Sequence, residues 1–201
     1  ASKGLLSAFV IADLDTCEGW ELAKGLLRHL STHSESQMRV GFQHVTSSQS
    51  DRNTEFRLST LLYRLYTTGQ LSLVSTEELL TLESLVCNPN NKALVERITE
   101  IARQLTSNSV LRDLLSDETD SLTSSASREF WETFASGRQL MGIQAGEQYV
   151  LINGRLIGHL EPGALAEEDY AALERYEINI RVKPILDALS RFYHDIDSLD
   201  P

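Results

Sequence analysis

The sequence lacks the features that would anchor a chain to a membrane or crosslink a small one. Only two cysteines, Cys17 and Cys87, occur among its 201 residues, so neither a disulfide framework nor a cysteine-rich zinc site is expected. One bridge between them is possible, although nothing in the sequence requires it. No window approaches the roughly 18 consecutive apolar residues of a membrane-spanning helix, so we expect no membrane span.

Positive charge is also scarce. Acidic residues number 29 and basic residues 18, which gives a net charge of −11. A surface this negative repels phosphate backbones, so we expect no nucleic-acid partner. The apolar content of 41% is ordinary for a globular protein. The chain begins without Met and without a signal-peptide pattern, and we interpret it as an excised or processed piece.

The first fifty residues predict a strand, a helix and a second strand. An apolar run over residues 6–14 indicates a buried strand, and residues 38–45 alternate as a half-buried strand does. Between them, leucines at helical spacing predict a helix that is capped by Asp15 or Thr16 and ends near residue 33. This order predicts a right-handed βαβ unit with parallel strands.

A long helical stretch follows. Leucine-rich periodicity fills residues 54–115, with a capping box at Ser75 and a first-turn proline at Pro89. We predict an all-helical insertion over residues 54–125. Its exit, residues 116–127, is polar and predicts a flexible loop.

The remaining residues return to mixed structure. Residues 127–141 predict a helix, and residues 148–152 and 155–160 predict strands joined by Asn153-Gly154, a strong hairpin signal. A helix over residues 167–176 closes the core. Without the insertion the order is β-α-β, α, β-hairpin, α. That order predicts an α/β thioredoxin-like fold with a mixed central sheet flanked by helices.

An amphipathic helix lies beyond the natural end of this fold. We interpret Lys183-Pro184, which precedes it, as a hinge-like break. Its apolar face is a candidate to bind an apolar partner or to cover an apolar groove. The residues of this face are Ile185, Leu186, Leu189, Phe192 and Tyr193. Residues 1–53 and 126–183 are then the two halves of the thioredoxin-like domain, 54–125 the insertion, and 184–201 the extra helix and tail.

The redox position of the fold carries one cysteine instead of two. Redox-active thioredoxin folds place Cys-x-x-Cys where the first strand meets its helix, since the helix N-terminus favours the first thiolate and the second cysteine resolves the mixed disulfide. Here that place is Cys17-Glu18-Gly19-Trp20, with Trp20 instead of the resolving cysteine. We expect no dithiol oxidoreductase activity, and Cys17 is either incidental or a moderately reactive thiol.

Other catalytic patterns are incomplete. Asp13-Leu14-Asp15 after a strand is typical of the metal motif of nucleotide-sugar transferases and of phosphoaspartate phosphatases, but the lysine and the later acidic pair that phosphatases need are missing. We expect Asp15 to cap the helix and Asp13 to lie at its positive end. We predict no catalytic residue and no metal site. Five histidines show no ligand spacing and are expected at the surface: His29, His33, His44, His159 and His194.

Three stretches resemble the UDP-glucose:glycoprotein glucosyltransferase family, the folding sensors of the endoplasmic reticulum. Residues 10–15 (VIADLD) with Glu18-Gly19 are similar to that family's first strand and helix start, and residues 39–42 (RVGF) to its second strand. Residues 152–161 (INGRLIGHLE) are similar to its characteristic hairpin and are the most specific of the three. The order of elements and the helical insertion fit as well.

The resemblance implies one of the non-catalytic thioredoxin-like domains of that family, the third or fourth, which precede its glucosyltransferase domain. It implies the lumen of the endoplasmic reticulum, with misfolded glycoproteins and neighbouring domains as partners. UDP-glucose and a divalent cation such as calcium belong to the catalytic domain, which this chain does not include, so no cofactor is expected here. The expected function is recognition of apolar surface on misfolded clients.

Two alternatives stay open at this point. The first is a thiol–disulfide oxidoreductase-like domain with a degenerate motif and a helical insertion, against which the missing second cysteine counts. The second is a structural spacer that only positions other domains, which no sequence feature excludes.

Overall fold

The computed structural model describes residues 5–46, 58–67, 76–87 and 121–197. Its sheet has four strands in the order β2-β1-β3-β4. β1 pairs with β2 in parallel and with β3 antiparallel, and β3 pairs with β4 antiparallel. The strands are β1 (Leu6–Ala12), β2 (Met38–His44), β3 (Tyr149–Ile152) and β4 (Arg155–Gly158). This mixed sheet confirms the predicted thioredoxin-like fold.

Helices flank the sheet and fill the described part of the predicted insertion. In the described residues they are α1 (Cys17–Thr32), α2 (Leu58–Thr67), α3 (Thr76–Thr81), α4 (Glu83–Cys87), α5 (Ser121–Glu132), α6 (Ala135–Leu140), α7 (Glu167–Tyr176) and α8 (Lys183–Asp197). A π-helical turn over Glu177–Val182 joins α7 to α8. The helices predicted between residues 88 and 115 lie outside the described residues.

The core lies on one face of the sheet. Leu6, Ala8 and Val10 of β1 alternate towards this face and are fully buried, as a strand with one buried face requires. Tyr170 of α7 is also buried, and its hydroxyl donates to the carbonyl of Leu22 in α1 at 3.1 Å. Burial, assisted by the neighbouring carboxylate of Asp169, raises the pKa of the Tyr170 hydroxyl far above its ordinary value.

The opposite face of the sheet is only partly covered. Ile11, Val45 and Ile143 form a small buried cluster there. Phe9 stays 43% exposed on this face and lies across Gly41 of β2, where a Cβ would come within 2.4 Å of the phenyl ring. This open face is a second apolar surface of the domain.

The hairpin forms as predicted. Asn153 has a φ of 47° and Gly154 a φ of 79°, the left-handed conformations that a two-residue turn needs. The turn is tied to the neighbouring strand, because the Oδ1 of Asn153 accepts the N–H of Ser7 at 3.0 Å and the Asn153 N–H donates to the Ser7 carbonyl at 2.9 Å.

Two predictions for the second half of the chain were wrong in detail. α5 begins at Ser121, inside the segment predicted as a polar loop. The helix predicted over residues 127–141 is divided at Thr133 and Phe134, between α5 and α6. The Thr133 hydroxyl donates to the Phe130 carbonyl at 2.6 Å, a local bond that competes with the helical ladder.

The break predicted at Pro184 does not occur. The chain stays helical from α7 through the π-helical turn into α8. The N–H of Lys183 bonds the carbonyl of Ile178, five residues earlier, so the turn directly before the proline is already wide. Pro184 is the second residue of α8 and directly follows this wide turn, inside a continuous helical segment.

A buried polar contact joins α1 to α7. His29, which the sequence analysis placed at the surface, is 1% exposed, and its Nε2 lies 2.7 Å from the Oε2 of Glu174. The same carboxylate accepts the N–H of Gln37 at 2.6 Å and the hydroxyl of Ser36 at 3.1 Å. One side chain of α7 therefore holds both the end of α1 and the approach to β2.

Substitution of Glu174 tests this contact. We expect Glu174→Ala to lower the free energy of unfolding by about 2–4 kcal/mol, because it leaves the buried imidazole and the Gln37 N–H without their acceptor. Urea unfolding measures the change. Arg175→Ala, at an exposed neighbouring position, is the control and should change stability by less than about 1 kcal/mol. Equal effects of the two substitutions would contradict this role.

Candidate functional site

The first candidate site lies where β1 meets α1. Thr16 caps α1, because its Oγ1 accepts the N–H of Gly19 at 3.1 Å and its hydroxyl donates to the carbonyl of Asp13 at 2.8 Å. A Cβ at Gly19 would lie 2.0 Å from that same carbonyl oxygen. The first turn of α1 therefore packs directly on the end of β1, and Cys17 is the first residue of the helix.

Cys17 is joined to the insertion. It forms a disulfide with Cys87, the last residue of α4, with 4.6 Å between the two Cα atoms. Both residues are half-buried. Trp20, at the place of a resolving cysteine, is fully buried, and its ring centroid lies 6.4 Å from that of Phe42. The sequence allowed this bridge, but only the fold shows that the partner of Cys17 comes from the insertion.

Beside this disulfide, Asp13, Asp15 and His44 come together at the ends of β1 and β2. The Nδ1 of His44 lies 3.7 Å from Asp13 Oδ1, and its Nε2 lies 3.6 Å from Asp15 Oδ2. One ligand-type atom from each residue lies within 4.8 Å of the others, a spacing compatible with a cation. The sequence analysis missed this set, since it expected His44 at the surface and His44 is 5% exposed.

The side chains of this cluster form hydrogen bonds that connect the end of β1 with β2 and α2, which gives the cluster a structural role. His44 Nδ1 accepts the N–H of Leu14 at 3.2 Å. Asp15 accepts the N–H of Ser59 at 2.9 Å and the Ser59 hydroxyl at 2.7 Å. Because Ser59 lies in the first turn of α2, Asp15 caps α2, and the prediction that it caps α1 was wrong for this side chain.

The second candidate site is the apolar face of α8. All residues from Lys183 to Phe192 are exposed. No described element packs extensively on α8 apart from the turn that precedes it. The predicted contact residues thus share one open surface: Ile185 (61% exposed), Leu186 (46%), Leu189 (46%) and Phe192 (61%). The side chain of Tyr193 lies outside the described part of the chain. A covering role for this helix stays a prediction.

An ion-pair cluster fixes the π-helical turn that precedes α8. Glu177, the first residue of the π-helical turn, is fully buried. Its carboxylate lies 2.8 Å from Arg155 of β4 and 3.3 Å from Arg181. The guanidinium of Arg155 also lies 5.0 Å from the ring centroid of Tyr176. The edge of the sheet therefore fixes the position at which the C-terminal helix leaves the domain, a contact that no local sequence pattern indicates.

With the fold and these sites described, comparison with known proteins assigns the family. A sequence profile of the thioredoxin-like domain family matches residues 3–198. The chain belongs to the thioredoxin-like domain family. No curated protein sequence matches it. Within the described residues, no helix has the length and apolar character to cross a membrane.

The solved structures that match this chain include domains of two kinds of protein. The Trx3 domain of UGGT in its detergent-unbound form is 20% identical, with 86% of this chain and 92% of that chain covered and a TM-score of 0.45. Its detergent-bound form is 22% identical, with 77% and 79% covered and a TM-score of 0.34. DsbA of Chlamydia trachomatis is 11% identical, with 88% of each chain covered and a TM-score of 0.49.

The close packing at Gly19 makes a sharp prediction. We expect Gly19→Ala to destabilise the fold by about 3 kcal/mol, because the new methyl group meets backbone atoms of Asp13 that cannot move without disturbing β1. Thermal or urea unfolding measures this. Gly137→Ala is the matched control: nothing lies within 4 Å of a Cβ there, so the exchange should be neutral or stabilising by up to about 1 kcal/mol. Similar losses at both sites would contradict the packing argument.

The exposure of α8 predicts its dynamics. An undocked helix of 15 residues is marginally stable in water, so its amides should exchange quickly. We expect them to exchange at least about 100-fold faster than the amides of α7, measured by hydrogen–deuterium exchange with mass spectrometry. Protection of α8 equal to that of α7 would mean that the helix is docked in solution.

Proposed function

We propose that this chain is a non-catalytic thioredoxin-like domain of a folding-sensor glucosyltransferase, and that it recognises apolar surface on misfolded glycoproteins. The observation that carries the proposal is the exposed apolar face of α8. The sequence runs over residues 10–15, 39–42 and 152–161 support the assignment to that glucosyltransferase family. We place the domain in the lumen of the endoplasmic reticulum, where such clients fold.

The apolar face of α8 suits a general receptor for unfolded chains. Ile185, Leu189 and Phe192 recur along one side of the helix, each between 46% and 61% exposed. Burial of apolar surface is favourable by about 25 cal/mol per Å², whatever the sequence that provides it. A native client has already buried its own apolar side chains, so it offers no matching surface. The discrimination between native and misfolded clients then follows from exposure alone.

The core of the domain ends close to the start of α8, and the apolar face of α8 is exposed. Ile178, five residues before α8, and Val182, directly before α8, pack against the core cluster. Apolar residues continue into α8, but no described element packs extensively on them. Exposed Asp187 and Arg191 keep the rest of the helix soluble. A helix with this pattern is typical of a surface that is buried only when a partner binds.

Catalysis is assigned elsewhere in the protein. In our proposal UDP-glucose and a divalent cation such as calcium act in a separate catalytic domain, and this domain supplies only client contact. The fully buried Trp20 is consistent with this, because it removes the vicinal cysteine pair of redox-active thioredoxin folds. Neighbouring domains of the same protein are the other partners that we propose.

A binding experiment tests the apolar face. The probe is a reduced and carboxymethylated polypeptide, which is permanently unfolded and has no free thiol. We expect it to bind the unmodified chain, and we expect the combined substitution Ile185→Gln, Leu186→Gln, Leu189→Gln and Phe192→Gln to weaken binding at least tenfold. Each fully buried side chain of this size contributes about 1.5–3 kcal/mol, and about 1.4 kcal/mol corresponds to tenfold in affinity. Fluorescence anisotropy of the labelled probe measures the affinity.

A matched control keeps the helix and its charge. Asp187→Gln with Arg191→Gln changes exposed polar positions of the same helix and leaves the net charge as it was. This control should bind the probe with unchanged affinity. If the apolar variant also binds as tightly as the unmodified chain, the α8 face is not the receptor. The structural spacer would then be the better interpretation, provided that the open sheet face around Phe9 also fails to bind.

A further inference from the structure

The Cys17–Cys87 disulfide occupies the place where thioredoxin folds perform thiol chemistry, yet its two halves come from different parts of the chain. Cys17 opens α1, and Cys87 ends α4 of the insertion. Both residues are half-buried, so the bond is not enclosed in the core of the domain. Cys87, which is distant in sequence, therefore takes the place of the second cysteine that the Cys-x-x-Cys motif would supply.

The two sulfurs of this bond differ as leaving groups. Cys17 is the first residue of a helix of 16 residues, where the positive end of the helix dipole stabilises a thiolate. Cys87 is the last residue of a helix of five residues, at the negative end of the helix dipole, which disfavours a thiolate. In thiol–disulfide exchange the more stable thiolate leaves faster. An incoming thiolate is therefore expected to bond to Cys87 and to displace Cys17.

The packing around the bond keeps its two ends together after it opens. Leu79 and Leu82 of the α3–α4 segment are buried in the core. Lys24 of α1 reaches Glu83 of α4 at 2.6 Å and also bonds Glu21. Burial disfavours the ammonium of Lys24, but the two carboxylates outweigh this and raise its pKa. Cys17 thus stays next to Cys87 at a high effective concentration.

We propose that Cys17–Cys87 is a reversible capture site for polypeptides that carry a free cysteine. The incoming thiolate forms a disulfide with Cys87 Sγ, while the Cys17–Cys87 bond breaks and its electron pair leaves on Cys17 Sγ. In the release step the Cys17 thiolate attacks Cys87 Sγ, restores the original bond and expels the incoming thiolate. Capture and release together consume no oxidant or reductant. This site is separate from the apolar face of α8. It would hold a client by a covalent bond, in addition to the apolar contact that α8 provides.

The first test measures the rate and the site of capture. The probe is a fluorescent peptide with one cysteine, mixed with the native oxidised chain and quenched with N-ethylmaleimide, and the products are mapped by mass spectrometry. We expect the chain to react faster than glutathione disulfide, with peptide on Cys87 and maleimide on Cys17 in at least about tenfold excess over the reverse arrangement. A rate equal to or below that of glutathione disulfide overturns the proposal, as does a majority of peptide on Cys17.

The second test alters the leaving group without touching the bond. Glu18 lies next to Cys17 in the first turn of α1, and its carboxylate opposes thiolate formation. Glu18→Lys should accelerate capture by about threefold or more. Glu35→Lys makes the same charge change at an exposed position beyond the end of α1 and should leave the rate unchanged. Equal rates for the two variants would overturn the assignment of Cys17 as the leaving group.

Controls separate this proposal from folding and from client binding by α8. Circular dichroism of the peptide adduct should match that of the free chain, whereas loss of structure on capture would show that the bond is needed for folding and would overturn the proposal. The quadruple α8 variant should capture the cysteine peptide at the unmodified rate. If the cysteine peptide is not captured but the carboxymethylated probe still binds, only the exchange site is rejected. If the peptide is captured but the carboxymethylated probe does not bind, only the apolar receptor is rejected.

Discussion

The structure depends most on the packing of the first turn of α1 against the end of β1. Gly19 allows the helix to approach the Asp13 carbonyl, which also accepts the N–H and the hydroxyl of Thr16. Three connections leave this junction: Asp15 to Ser59 of α2, Cys17 to Cys87 of α4, and Leu14 to His44 of β2. The sheet and the insertion are therefore positioned by one stretch of backbone, and a change there affects both.

The C-terminal helix is held in a different way. One buried carboxylate, Glu177, pairs with two arginines, and no described element packs extensively on the helix after Val182. A π-helical turn shifts the side chains that follow it relative to the α-helical ladder, and such turns occur often at functional sites. The structure thus combines a firmly fixed start of the C-terminal helix with an exposed apolar face. That division suits a surface that adapts to many partners while the domain behind it stays rigid.

The sequence predicted what local patterns control. The apolar run of β1, the helical spacing in α1 and the Asn153-Gly154 turn each act within a few residues, and the observed elements match them closely. The same analysis placed His29 at the surface, because its partner Glu174 lies 145 residues away and no local window contains both. It also predicted a break at Pro184, because proline is unfavourable inside a helix, and it did not foresee the π-helical turn that precedes Pro184. Where contacts are distant, only the fold identifies them.

The redox position shows why an isolated motif is a weak guide to thiol chemistry. A Cys-x-x-Cys pair is needed only if both sulfurs must come from one helical turn. In this chain Trp20 fills the core at that turn, and an insertion brings a second sulfur to Cys17 from α4. Insertion of a long segment costs little, because the entropy of loop closure grows only slowly with length. Trp20 thus removes the sequence signature of a dithiol, whereas the insertion supplies a second sulfur, and chemistry at this junction has to be judged from the folded geometry.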